Sequence, residues 1–227
     1  MSRDATVETI EARTRGQYLV SPPLTPGPAP LLVGFHGYGE HAERHLHALR
    51  RLPGAAQWLL VSIDALHRFY DFKRDAVVGS WMTRQNRDSA IADNLAYVRS
   101  VVEVVMRDWP TTGVLVYAGF SQGVAMAYRA AVRGGHPCAG VIALAGDVPP
   151  ELWGDASIRW PRVLVARGHD DTWYTQAKME ADLTLFATTD ASVESLVFAG
   201  GHEWTDEFEA AAGRFLAQCV GPAGGTP

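Results

Sequence analysis

The amino-acid sequence reads as an α/β protein, a mostly parallel central sheet with helices on both faces and an antiparallel N-terminal hairpin. Short apolar runs at 31–35, 58–63, 139–146 and 163–166 have the length of strands and too little alternation for an exposed face, as expected of strands covered on both sides. Between them lie stretches of helical length whose apolar residues recur at helical spacing. Glycine-punctuated loops follow several of the runs, where the C-terminal ends of parallel strands would be.

Residues 6–12 alternate well enough for a half-exposed strand, and Arg15-Gly16 offers a turn into a second short strand at 17–20, giving the opening hairpin. Residues 21–30 hold five prolines and should form a surface connection outside the sheet interior. The strand at 31–35 ends in His36-Gly37-Tyr38-Gly39. A helix over 40–52 is closed by Pro53-Gly54, and 58–63 is the next buried strand. Periodicity disappears over 66–87, which carries Phe69, Tyr70, Phe72, Trp81 and Met82 among many charges. It reads as an excursion over the sheet edge with its aromatic residues tucked down, forming one rim of a pocket. Asp88 is the expected N-cap of a helix with Ile91, Leu95, Val98, Val101, Val102 and Val105 on one face, ending near Pro110. After the strand at 114–120 and a helix from 124 come a strand at 139–146, a proline- and tryptophan-bearing loop, a strand at 163–166, a helix over 174–187 and a strand at 195–198. Thr205 caps the last helix, with Asp206 and Glu207 in its positive first turn and Phe208, Ala211, Ala212, Phe215 and Leu216 on its buried face. Residues 1–220 are read as one domain and 221–227 as a disordered tail.

Bulk properties narrow the function. A chain of 227 residues, 47% hydrophobic and 20% charged, is expected to be soluble and globular. Its net charge of -5 and the lack of a long basic run argue against a nucleic-acid partner or an anionic membrane surface. No apolar run approaches a membrane span, and the first residues lack the pattern of a signal peptide, so a cytoplasmic location and reduced thiols at Cys138 and Cys219 are expected.

The chemistry centres on Gly119-Phe120-Ser121-Gln122-Gly123. A strand must reverse here into a helix so sharply that the serine takes a strained backbone, and side chains two residues to either side would collide with their neighbours. Such a turn exposes the Ser121 hydroxyl above the sheet and puts the Gln122 backbone N–H at a helix N-terminus, where it can stabilise an oxyanion. A serine hydroxyl is a poor nucleophile at neutral pH and needs a base, and the base needs a partner that sets its tautomer. His202, after Gly200-Gly201, fits the base. Asp171 is preferred for the partner because Gly168 relaxes the turn leaving the strand, with the adjacent Asp170 as the alternative. The second oxyanion donor is assigned to the Tyr38 backbone N–H, and His36 to holding its loop. His41, His45 and His47 with Glu40 and Glu43 suggest a metal, but the order His-Ala-Glu-Arg-His is not that of a zincin and no third ligand is evident. No phosphate-cradling or dinucleotide-binding glycine pattern is present. No metal or cofactor is expected.

Taken together, Phe35-His36-Gly37-Tyr38-Gly39, Trp81, the Gly119-to-Gly123 elbow, Gly168-His169-Asp170-Asp171 and Gly200-Gly201-His202 resemble the phospholipase/carboxylesterase family of compact α/β-hydrolases, which includes acyl-protein thioesterases. The resemblance runs from about Leu31 to the last helix. It implies the α/β-hydrolase fold, a serine hydrolase with Ser121, Asp171 and His202 as its triad, Tyr38 and Gln122 as backbone donors, no cofactor, and a small-molecule ester, thioester or lysophospholipid substrate. The chain departs from the family at Val124, where a second glycine often follows the elbow, and at Tyr38, where a leucine is common. Tyr38, Trp81, Trp173 and Trp204 beside the loops would make a tight, apolar acyl pocket suited to short or aromatic acyl groups, with Trp81, Trp173 and Trp204 as substrate-binding residues. A monomer or homodimer is expected. The rival reading is a non-catalytic α/β-hydrolase-fold protein that binds a ligand in the same pocket.

Overall fold

The computed structural model describes residues 5–221. Its strands are β1 (Tyr18–Ser21), β2 (Ala29–Phe35), β3 (Leu59–Ile63), β4 (His67–Asp71), β5 (Ala76–Ser80), β6 (Thr111–Phe120), β7 (Gly140–Leu144), β8 (Arg162–Gly168) and β9 (Val193–Phe198). The α-helices are α1 (Ala42–Arg51), α2 (Arg87–Asp108), α3 (Gln122–Arg133), α4 (Gln176–Phe186) and α5 (Asp206–Val220). Seven strands form one sheet in the order β1-β3-β2-β6-β7-β8-β9, in which only β1 runs antiparallel to its neighbour. Strands β4 and β5 pair separately as an antiparallel hairpin.

Side chains alternate across the sheet as the two-residue period of a strand requires. Leu31, Val33, Phe35, Leu115 and Tyr117 face a core shared with α2, α3 and α4. Leu32, Leu60, Val116 and Ala118 face a second core against α1 and α5. Both faces are therefore covered, and the central strands β2, β3 and β7 are buried at every position. This is why these runs are uniformly apolar.

The sheet opens differently from the hairpin expected at 6–20. Residues 6–12 form no strand, and β1 pairs with β3, Tyr18 opposite Ile63. The alternation at 6–12 has no buried face behind it, since these residues are exposed. The proline-rich connection also ends earlier than expected. Ala29 and Pro30 are already buried in β2, and the register with β6 shifts between Ala29 and Leu31, where the missing proline N–H is tolerated. The excursion at 66–87 contains the β4–β5 hairpin. Of its aromatic residues only Trp81 is tucked down, while Phe69, Tyr70 and Phe72 are exposed. Helix α2 starts at Arg87 with Asn86 in the left-handed region at its cap (φ 51°), so Asp88 lies in the first turn and is not the cap. Thr205 does cap α5, its hydroxyl accepting the Phe208 N–H. Among the described residues no helix is long and apolar enough to cross a membrane, and both cysteines are free. The tail read as beginning at 221 lies, Gly221 apart, outside the described residues.

Candidate active site

The nucleophile-elbow sequence occupies the junction between β6 and α3. Ser121 has φ 53° and ψ -120°, a conformation that L-residues rarely adopt. The two glycines that flank it are required by space. A Cβ on Gly119 would stand 2.5 Å from the Gly123 carbonyl oxygen, and one on Gly123 would collide with the Phe35 carbonyl. The strained turn holds Ser121 at the edge of the cleft, at the positive end of α3.

Three loops from three strand ends meet at this serine. His202, beyond β9, lies with Nε2 2.7 Å from Ser121 Oγ and Nδ1 2.8 Å from Asp171 Oδ2. Asp171 is buried in the loop after β8, and its second oxygen, Oδ1, accepts the Trp173 and Tyr174 backbone N–H groups at 2.8 and 3.0 Å. Asp170 points to solvent, 2.8 Å from His169 Nδ1. The two adjacent carboxylates thus have different surroundings, and it is Asp171 that reaches His202. Gly168 contributes by close packing, since a Cβ there would overlap the Gly200 and Gly201 carbonyls. The histidine loop can therefore descend onto the aspartate loop, a reason different from the relaxed turn expected of this glycine.

The aspartate loop is also gripped from below by Arg167, which sequence reasoning overlooked. Its buried guanidinium donates to the carbonyl oxygens of Tyr174 (2.9 Å), His169 (3.0 Å) and Asp171 (3.3 Å). The signal was an arginine closing an otherwise apolar strand, since a buried charge is kept only where it is fully bonded.

On the other side of Ser121 the turn after β2 is held by His36. This ring is buried, with Nδ1 2.7 Å from the Gly37 carbonyl and Nε2 accepting the Ala65 N–H at 3.1 Å. Desolvation lowers its pKa, so it is a neutral structural group. Along the turn the Gly37 N–H is taken by Glu40 Oε2 and the Gly39 N–H by the Gly79 carbonyl, both at 3.0 Å. The Tyr38 and Gln122 backbone N–H groups have no acceptor among the described residues.

Tyr38, Phe120, Ser121, His202 and Trp204 line a cleft of about 510 Å³, whose outer wall carries Arg44, Arg51 and Arg74. The Phe120 ring, 5.1 Å from that of His202, was another omission. A larger groove of about 960 Å³ runs between residues 9–13 and the start of α2 but reaches neither Ser121 nor His202, which both open onto the smaller one. Of the tryptophans read as substrate-binding, only Trp204 lines the cleft. Trp173 is exposed and does not line it. Trp81 is fully buried beneath the loop, edge-on to Phe35 at 5.4 Å, with its indole N–H donating to the His36 carbonyl at 2.9 Å. Its size suits it to supporting the loop from inside the core.

The histidine cluster on α1 is dispersed by the fold. His41 caps the helix by accepting the Arg44 N–H, whereas His45 is buried behind Trp204, with ring centroids 5.6 Å apart, and burial pushes it down to about 3. Of the three histidines, His47 is exposed, His41 half-buried and His45 buried. Among the described residues no group of three or more His, Cys, Asp or Glu side chains is placed to hold a metal ion. Neither cysteine is activated, since burial pushes Cys138 up to about 12 and Cys219 up to about 11.

Comparison with known proteins places this geometry in context. The family model described as Phospholipase/Carboxylesterase matches residues 24–217. Among solved structures, the Bacillus cereus carboxylesterase superposes with a TM-score of 0.71 at 14% identity, over 90% of this chain and 94% of that one. The Mesorhizobium loti carboxylesterase gives 0.70 at 19% identity, over 85% and 89%. Acyl-protein thioesterase 2 of Zea mays gives 0.69 at 17% identity, over 91% and 100%. At such identities these likenesses speak for the fold. A comparison with curated protein sequences gave no match. With its seven-stranded sheet of α/β-hydrolase type and a family match that spans most of its length, the chain belongs to the phospholipase/carboxylesterase family and is a hydrolase.

Proposed function

We propose that the chain is a serine esterase that cleaves carboxylic esters through an acyl-enzyme, with Ser121 as nucleophile, His202 as base and Asp171 as the group that orients it. The observation that carries this reading is the unbroken chain Ser121 Oγ, His202 Nε2, His202 Nδ1, Asp171 Oδ2, with links of 2.7 and 2.8 Å. Asp171 is an acceptor only, so the imidazole keeps its proton on Nδ1 and presents the Nε2 lone pair to the serine. Ser121 Oγ adds to the ester carbonyl carbon while its proton passes to Nε2. The carbonyl oxygen becomes an oxyanion, received by the Tyr38 and Gln122 backbone N–H groups. Collapse breaks the bond to the alkoxy oxygen, which leaves with the proton from Nε2, and a water repeats the sequence to release the acid.

Thioesters undergo the same steps with a thiol as leaving group, and the maize neighbour is named as an acyl-protein thioesterase. The cleft, of about 510 Å³ and walled by Tyr38, Phe120 and Trp204, suits short or aromatic acyl groups. The substrate is a small molecule, and the reaction as drawn uses no cofactor. A cytoplasmic monomer or homodimer remains the proposal for its setting.

The test is turnover of p-nitrophenyl acetate and butyrate, with labelling by a fluorophosphonate, on the wild type and on Ser121→Ala. The wild type should show both activities and the variant neither. Equal silence of the two proteins would replace this reading with the ligand-binding one. A rate maximum at long acyl chains would refute the proposed preference.

A further inference from the structure

The mechanism uses the backbone N–H of Gln122 and leaves its side chain without a task. That side chain is nonetheless fully engaged. Oε1 accepts the Trp81 backbone N–H at 2.9 Å, and Nε2 donates to the Met82 carbonyl at 3.1 Å and to Ser80 Oγ at 3.2 Å. A backbone N–H can only donate and a carbonyl can only accept, so these partners dictate both the amide and its orientation. The Ser80 hydroxyl donates in turn to the Met82 carbonyl at 2.7 Å.

The same segment, 79–82, also holds the other half of the oxyanion site. Gly79 accepts the Gly39 N–H at 3.0 Å and donates to the Glu40 carbonyl at 2.8 Å, and the Trp81 indole binds the His36 carbonyl. The segment is itself anchored in the core, where the buried Asn94 of α2 donates to the Trp81 carbonyl at 2.8 Å. Gln122 opens α3 and Tyr38 lies on the turn after β2, and 79–82 is bonded both to the Gln122 amide and to that turn on either side of Tyr38.

We propose that the Gln122 carboxamide is a positioning group that ties the start of α3 to the 79–82 segment and so sets the spacing between the Gln122 and Tyr38 backbone N–H groups. This rests on the serine-esterase reading above. An oxyanion is stabilised only by donors already standing about 2.7–3.1 Å from where it forms, and displacement of about 1 Å can cost 10²-fold. Methionine has nearly the same length but can make none of these three bonds. Glutamate keeps the bond from Trp81 and turns an oxygen toward the Met82 carbonyl.

The test is Gln122→Met, read with p-nitrophenyl butyrate and two inhibitors. A trifluoromethyl ketone forms the tetrahedral oxyanion on a reactive serine, whereas p-nitrophenyl butyl ether has no carbonyl and reports binding alone. The variant should lose about 10- to 100-fold in kcat, with KM changed less than twofold. The Ki of the ketone should rise by a similar factor and that of the ether should stay within twofold. Should Gln122→Met fail to fold, Ser80→Ala removes one partner of the amide and should show the same pattern at about 3- to 10-fold. Unchanged kcat, or ketone and ether constants that move together, would overturn the proposal and leave the esterase reading standing. A wild type silent toward both ester and ketone would overturn that reading, and this one with it.

Discussion

In Asp171→Asn the carboxylate becomes an amide of the same shape, and the surrounding donors decide how it sits. The Trp173 and Tyr174 N–H groups, 2.8 and 3.0 Å from Oδ1, require an oxygen at that position. The amide nitrogen must then take the place of Oδ2, 2.8 Å from His202 Nδ1. An NH₂ group is a donor, so Nδ1 must become the acceptor and the ring proton moves to Nε2. The ring then donates to Ser121 Oγ and cannot take its proton. A tautomer error of this kind costs about 10⁴-fold in the serine-protease template, or about 5.5 kcal/mol of barrier. The fold should be spared, because both N–H groups keep their acceptor. The assay is kcat for p-nitrophenyl butyrate, with thermal unfolding as the control and Asp170→Asn beside it. Asp171→Asn should be about 10⁴-fold slower with little change in Tm, and Asp170→Asn within about twofold of wild type, since the Asp170 carboxylate is exposed and bonded to the exposed His169. An Asp171→Asn enzyme within tenfold of wild type would refute the reasoning.

Other perturbations address stability and substrate contact. Glu151 receives the guanidinium groups of Arg87 and of the fully buried Arg129 at 2.7 and 2.6 Å, so Glu151→Ala strands Arg129 and should cost about 3–5 kcal/mol in denaturant unfolding at pH 7. Burial opposes ionisation of Glu151, but its hydrogen bonds from the two arginines prevail and hold its pKa at about 2. Its stabilisation is therefore complete above the unfolded value near 4.5, and should disappear as the pH falls toward 2. Asp182 behaves oppositely. Burial pushes it up to about 6, against the Tyr174 hydroxyl and Val148 N–H that favour its charge, so the folded chain keeps a proton that the unfolded chain has released. The stability it contributes is greatest below about pH 4 and is lost as the pH rises to 6. Asp182→Asn should remove about 3 kcal/mol of that slope, measured as midpoints of guanidinium unfolding across the range. Trp204→Ala should raise KM for p-nitrophenyl butyrate several-fold, because Trp204 lines the cleft, whereas Trp81→Phe should leave KM within twofold and lower Tm. The opposite pattern would return Trp81 to the substrate.

The sequence by itself carried the alternation of strand and helix, the strand-turn-helix elbow around Ser121, and the glycines that elbow needs. The alternation is a local matter of side-chain period and Gly119 is required by Gly123 four residues on, although the atom that excludes a Cβ from Gly123 is the distant Phe35 carbonyl. It also carried the order in which Ser121, the aspartate loop and His202 come to the same edge of a parallel sheet, since every such strand delivers its following loop to one end. Tertiary structure decided what depends on neighbours distant in the chain. Adjacent carboxylates are equivalent to any local reading, and only the descent of the Gly200-Gly201 loop onto Gly168 brings His202 to Asp171 and leaves Asp170 in solvent. Likewise, an aromatic residue beside a catalytic loop can line a cleft or support it from beneath. Trp204 does the first and Trp81 the second, because the β4–β5 hairpin returns Trp81 into the core under His36. Residues 6–12 have the alternation of a strand but find no partner, since pairing depends on the free edge of a sheet assembled from later segments, and there β3 is met by β1.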